Sequence, residues 1–294
     1  MTKLAKGPDH LPWSKNAYVL FNGVNLPNPL HSIFRWTPSP AYKPLFLQTR
    51  FSKLLEKTPV LVQIKGRRDP VYTPFLENAH KEWGLLLFSD ADLLTMLDHL
   101  RWLVEVDQPD GKTVMLNFSD PITAHALFGL YPTHTDNRLF GPIEDIYAVD
   151  VIDDTWIRHV RQGQPAPRDG KARYRLNEAQ IEAMDEATFR LNVVGLEQHM
   201  ARFFPDYLPS ASKKERFERL YALSRQAYED GFRTEADIFH YANISHFLST
   251  EPPGAHPRIT DLIRTKSEQT PSQRIKQANW LVVEHERARN GARP

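Results

Sequence analysis

Four pieces of sequence decide the fold: PVLVQI (residues 59–64), WGLLLFSD (83–90), LDHLRWLVEVDQPDGKTVMLNFSDP (97–121) and LFGPI (139–143). PVLVQI is continuous Val, Leu and Ile with no helical period, which predicts a buried strand. Gly84 stops a helical pattern that begins near Tyr72, and Leu85–Phe88 reads as a second strand. Ser89, with Asp92 three residues on, predicts a capped helix. Its apolar stripe would be Leu93, Leu97, Leu100 and Val104. Asp110-Gly111 lies between two short apolar runs, which is a hairpin signal. Asp120-Pro121 then marks a stop, with Asp120 placed to cap the next helix. None of these pieces is a catalytic motif.

Outward from this run, AYVLF (17–21) ends at Asn22-Gly23 and predicts a further strand. Residues 1–16 read as a polar arm. Prolines 27, 29, 38, 40 and 44 break up residues 25–44. They predict a long surface connection with aromatic anchors rather than a helix. Strand and helix alternate and a hairpin follows, so the expectation is an α/β lobe with a mixed sheet over residues 1–160. Residues 161–175 (RQGQPAPRDGKARYR) are basic and rich in Gly and Pro, a linker composition. Residues 176–294 read as an all-helical lobe, giving an α+β or α/β protein overall. Its first helix starts at Asn177 with Gln180 at capping-box spacing. That helix would show Ile181, Met184, Thr188, Leu191 and Gly195 on one face. A second runs from Lys213 to Asp230 and is closed by Gly231, and Thr234 with Asp237 starts a third.

The chain has 294 residues, 41% of them hydrophobic, which is enough to fill a core. Its 37 basic and 36 acidic side chains leave a net charge of +1. Such a balance gives no global field for nucleic acid or for an anionic membrane. There is no cysteine, which excludes disulfides, thiolate catalysis and Cys-type zinc sites. The segment MTKLAKGPDHLPW lacks the apolar core of a secretory signal, and apolar runs fall short of the ~20 residues a membrane span needs. A cytoplasmic protein is expected.

Gly-x-Ser-x-Gly, the Walker loop, Gly-x-Gly-x-x-Gly and His-Glu-x-x-His are all missing from the sequence. The pairs His240/His246 and His125/His134 are badly spaced for a metal and read as hydrogen-bonded or solvated histidines. No cofactor or metal is expected. The carboxylates near Asp120 leave open a hydrolase or a phosphate-handling enzyme. Asp110 and Gly111 as turn residues, and Asp120 and Pro121 as a helix start, are the plainer reading. Trp13, Phe34, Trp36 and Tyr42 lie in irregular, proline-rich sequence. Large aromatics there either fill a core or anchor a protein interface.

The ordered series resembles the type VI secretion effector-adaptor family, also called effector chaperones and long known only as a domain of unknown function. Its first strand, Tyr-Ala-Leu-Leu-Asp-Gly, corresponds to Tyr18–Gly23. Leu45-Phe46 follows, then Pro-x-Leu-Val at 59–62, Trp-Gly-x-x-Leu-x-Ser at 83–89 and His-Leu-Arg at 99–101. Pro-Asp-Gly stands at 109–111 and Phe-Gly-Pro-Ile at 140–143, and the Arg-Phe-Tyr-Asp-Pro motif corresponds to Asn117–Pro121. The likeness runs over roughly residues 17–150. This chain departs from it at Asn22 for Asp, Asn117 for Arg and Ser119 for Tyr. The resemblance implies a non-enzymatic adaptor whose partners are a secreted effector and the VgrG spike protein, with no nucleic acid. An immunity-type inhibitor is a further alternative. Partner choice would lie in the proline-rich N-terminal segment and the helical lobe.

Overall fold

The computed structural model describes residues 4–130, 136–166, 168, 172–265 and 267–291. Two compact units divide the chain, Met1–Thr188 and Phe189–Pro294. The first opens with β1 (Asn16–Phe21), α1 (Pro29–Trp36), β2 (Ala41–Pro44), β3 (Val60–Ile64), α2 (Tyr72–Glu77), β4 (Gly84–Ser89) and α3 (Leu93–Leu103). It continues with β5 (Glu105–Asp107), β6 (Thr113–Met115), α4 (Pro121–Phe128), α5 (Asn137–Phe140), β7 (Asp145–Asp150), β8 (Thr155–Val160) and β9 (Tyr174–Arg175). Helix α6 (Glu178–Phe203) follows. The fold is α+β.

Six strands form one sheet in the order β2-β3-β1-β4-β7-β8, and every neighbouring pair in it is antiparallel. The mixed sheet is the smaller one, β6-β5-β9, where β5 runs antiparallel to β6 and parallel to β9. From Ala17 to Phe21 strand β1 is apolar and buried because both faces of the large sheet are covered. Side chains alternate along it. Tyr18 and Leu20 join Leu61, Leu85, Leu87, Met96 and Leu100 in one core cluster. Ala17, Val19 and Phe21 join Ile33, Val62, Phe75, Leu86 and Phe88 in the other.

The motif residues hold this sheet together. Ser89 Oγ donates to Pro142 O at 2.6 Å, so the ends of Trp-Gly-x-x-Leu-x-Ser and Phe-Gly-Pro-Ile meet. Buried His99 reaches Leu139 O through Nε2 at 3.0 Å. Arg101 donates from Nε to Leu45 O at 3.0 Å and from Nη2 to Leu47 O at 2.5 Å, tying α3 to the segment after β2. Gly111, at φ +85°, makes the β5–β6 turn.

Several expectations need correction. The proline-rich segment contains a helix, α1. Pro29 occupies its first turn, where a missing N–H costs nothing. The helix ends at Thr37, extended ahead of Pro38 as a pre-proline residue prefers. The arm before β1 is not simply polar: Leu4 and Leu11 are buried, and Trp156 Nε1 donates to Leu4 O at 3.0 Å. The cap of α3 is Asp92, which accepts from Thr95 N at 2.8 Å, while Ser89 belongs to β4. The extended helix expected from Tyr72 to Trp83 is α2 followed by a separate 3-10 turn at Ala79–Lys81.

Asn177 and Gln180 form the reciprocal capping box of α6, with bonds of 2.8 and 2.9 Å. Its stripe differs from expectation. Leu191 is 46% exposed, whereas Val193, Val194, Leu196, Glu197 and Met200 are buried. Buried Glu197 accepts from Arg216, whose two nitrogens reach its Oε1 at 3.0 and 2.8 Å. In the second unit α7 (Lys213–Glu229), α8 (Glu235–Thr250), α9 (Pro257–Arg264) and α10 (Pro271–Gly291) follow. A Ser212/Glu215 capping box starts α7, and Thr234 caps α8 through Asp237 N. Gly231 sits past α7 at φ +94°.

Candidate partner-binding surface

Helix α1 presents apolar residues on two sides. Pro29, Ile33 and Trp36, spaced four and three apart, face the sheet. Pro29 and Ile33 are buried. Trp36 tilts on Phe21 at 5.7 Å and stacks on Trp83 at 5.9 Å and 25°. Leu30 and Phe34, four apart, form a second face. Phe34 is 48% exposed and meets Tyr42 of β2 edge-on, at 5.3 Å and 82°. Leu30, Pro29 and His31 line an open groove of about 510 Å³, closed on its far side by Leu55 and Glu56 of a 3-10 turn. The aromatic pair and the groove therefore share one helix, beside β2. Among the described residues β2 ends the large sheet.

The four aromatics named from sequence thus occupy different places. Trp13 is half-buried at the margin of the core, edge-on against Tyr72 at 5.4 Å and Phe88 at 5.5 Å, with its Nε1 buried and without a hydrogen-bond partner. Trp36 is held by stacking. Phe34 and Tyr42 form the pair at the surface. Sequence reasoning did not name Leu30 or Leu55. The i, i+4 pair Leu30/Phe34 was the available signal, hidden because the segment was read as a connection.

Asp120 is built as a structural residue. Its Oδ1 accepts from Ile122 N at 3.0 Å and Thr123 N at 3.1 Å, capping α4, with Pro121 in the first turn. Its Oδ2 lies 3.5 Å from Nδ2 of buried Asn22. Burial raises its carboxyl above the ordinary range, opposed by the hydrogen bonds from Thr123, Ile122 and Asn25. An Asp at position 22 would set a second carboxylate against it in a dry site. Asn22 and Asn117, which stand where the resembled motifs carry Asp and Arg, are both neutral here. Asn22 Oδ1 accepts from Val24 N at 2.9 Å, and buried Ser119 donates to Asn117 Oδ1 at 2.9 Å. Both asparagines are held by neutral hydrogen bonds.

Of the histidine pairs, His240 and His246 lie on α8. His134 falls outside the described residues. His125 instead meets His159, Nδ1 to Nε2 at 2.9 Å, with its own Nε2 on Val149 O at 2.9 Å.

The geometry defines an α+β scaffold protein whose sequence motifs build a sheet and whose surface offers aromatic contact area. Residues 17–136 match the family described as Domain of unknown function (DUF4123). The chain is 28% identical over 274 residues to the "Accessory protein VasW" of Vibrio cholerae serotype O1, an alignment covering 91% of this chain and 88% of that protein. No solved structure matches. The resemblance drawn from the ordered motifs is borne out. Among the described residues no helix is long and apolar enough to cross a membrane.

Proposed function

We propose that this protein is a cytoplasmic, non-enzymatic adaptor of type VI secretion, which binds a secreted effector and helps load it onto the VgrG spike. The observation that carries this reading is the similarity, along 91% of the chain, to a protein named as an accessory protein. The fixed role of Asp120 as a helix cap supports the non-enzymatic part, since both carboxylate oxygens already face structural partners.

On this reading the effector contacts Phe34, Tyr42 and the groove on the same helix, with Trp36 as the stacked support, while Trp13 packs against Tyr72 and Phe88. The mode is an apolar helix laid into the groove rather than an added strand. Pro40 and Pro44 bracket β2 and leave it only three backbone N–H groups, too few for a useful strand ladder. Individual contacts are modest, as release onto the spike requires.

Co-expression of the tagged chain with the products of its neighbouring genes tests this. An effector is expected to co-purify through its non-toxic segment. Capture of neither an effector nor a spike protein contradicts the proposal. Capture of the toxic end alone, with loss of toxicity, assigns an immunity protein instead.

A further inference from the structure

Three side chains of the second unit converge from separate elements. Glu251 follows α8, His256 stands at the start of α9 and His285 lies on α10. One ligand atom from each falls within 4.8 Å of the others. His256 Nε2 is 3.4 Å from Glu251 Oε2. The two imidazoles meet edge-on with centroids 4.7 Å apart, and Phe247 packs against both, at 4.9 and 5.5 Å. The other carboxylate oxygen of Glu251, Oε1, accepts from Arg289 at 3.1 Å.

We propose that Glu251, His256 and His285 form a binding site for a divalent transition metal, with Zn²⁺ the best fit. Two imidazoles and a carboxylate are a donor set zinc takes readily, whereas calcium and magnesium prefer all-oxygen sites. Zinc bonds of about 2.05 Å in a tetrahedron put ligand atoms roughly 3.4 Å apart. The His256–Glu251 edge already has that length. His285 offers a ring nitrogen within 4.8 Å of the other two ligand atoms and completes the triangle. Arg289 holds Oε1 and leaves Oε2 turned to the imidazoles, the outer-shell orientation that metal carboxylates commonly have.

The bland alternative is a His256–Glu251 hydrogen bond beside an Arg289–Glu251 ion pair. That arrangement gives His285 no role as a ligand, so His285 separates the two. A bound ion would clamp the loop between α8 and α9 onto α10, with a fourth position left for water or an added side chain. The inference stands independently of the adaptor reading.

The test uses the full chain, stripped with a chelator and titrated with zinc sulfate by calorimetry, with retained zinc counted after dialysis. The chain has 12 histidines, so adventitious surface binding is removed by difference against variants. One zinc per chain is expected, with a higher thermal midpoint. Glu251→Gln and His285→Leu are each expected to weaken that equivalent at least tenfold and to abolish the rise in midpoint. His285→Leu keeps an apolar body against Phe247, and its metal-free midpoint reports folding separately. Wild-type zinc uptake that both variants reproduce overturns the proposal, as does a wild-type chain that retains no zinc.

Discussion

Gly84→Ala is expected to lower stability by about 4 kcal/mol or more and to leave little soluble protein. Gly84 begins β4 opposite Phe21 of β1 at φ +147°, a conformation L side chains rarely adopt. A methyl group there would lie 1.9 Å from Leu20 O and 2.9 Å from Leu20 C. Those are backbone atoms in the middle of the sheet, flanked by β3 on the other side, so neither can step aside. Gly111→Ala is the control. Its φ is +85°, but a methyl group there meets nothing within 4 Å, so only the conformational penalty of about 1 kcal/mol applies. Urea denaturation of both variants followed by circular dichroism checks this. A Gly84→Ala protein with a wild-type midpoint would refute the close-packed β1–β4 contact.

Acid is expected to unfold the protein from near pH 6.5 downward. His99 is buried, and desolvation holds its imidazole at a pKa of about 4, against the ordinary 6.5. Arg168 pushes the same way, while Asp98 and the Leu139 carbonyl oppose. His159 is likewise held at about 4, by burial first and then by its neighbour His125. Between pH 6.5 and 4 the unfolded chain binds these two protons and the folded chain does not. The stabilisation is therefore complete above about pH 6.5 and lost as pH falls to about 4, by about 3 kcal/mol for each histidine. The urea midpoint should be flat from pH 8 to 6.5 and fall steeply below. His99→Gln, which retains a donor for Leu139 O, should roughly halve that slope. A midpoint independent of pH across this window would contradict the buried neutral histidines.

Much of the scaffold was legible because its signals are local. The apolar runs of β1, β3 and β4, the Asp110-Gly111 turn, the Asp120 cap and the Asn177/Gln180 box each follow from a few adjacent residues. What was not legible depends on distant partners. Strand β2 is only AYKP, and exists because β3 pairs with it. Helix α1 was hidden by counting Pro29 as a breaker when its position makes it a starter. Trp13 lies in a polar stretch and is half-buried against Tyr72 and Phe88, far along the chain. The difference between Trp36 and Phe34, two residues apart, is decided by which side of α1 meets the sheet. Glu251, His256 and His285 come from three elements, and no spacing rule links them.

The central claim is that an effector is gripped by the Phe34–Tyr42 face. The most direct measurement is the affinity of the co-purified effector's non-toxic segment for the wild-type chain and for a Phe34→Ala/Tyr42→Ala variant, by calorimetry. Phe34 is 48% exposed and Tyr42 only half-buried against the core, so the variant should stay folded with a modestly lowered unfolding midpoint, measured alongside binding. Truncated aromatic anchors at the centre of an interface commonly cost 1–2 kcal/mol or more each, so binding should weaken by at least about tenfold. A folded variant that binds the segment as tightly as the wild type would contradict the account.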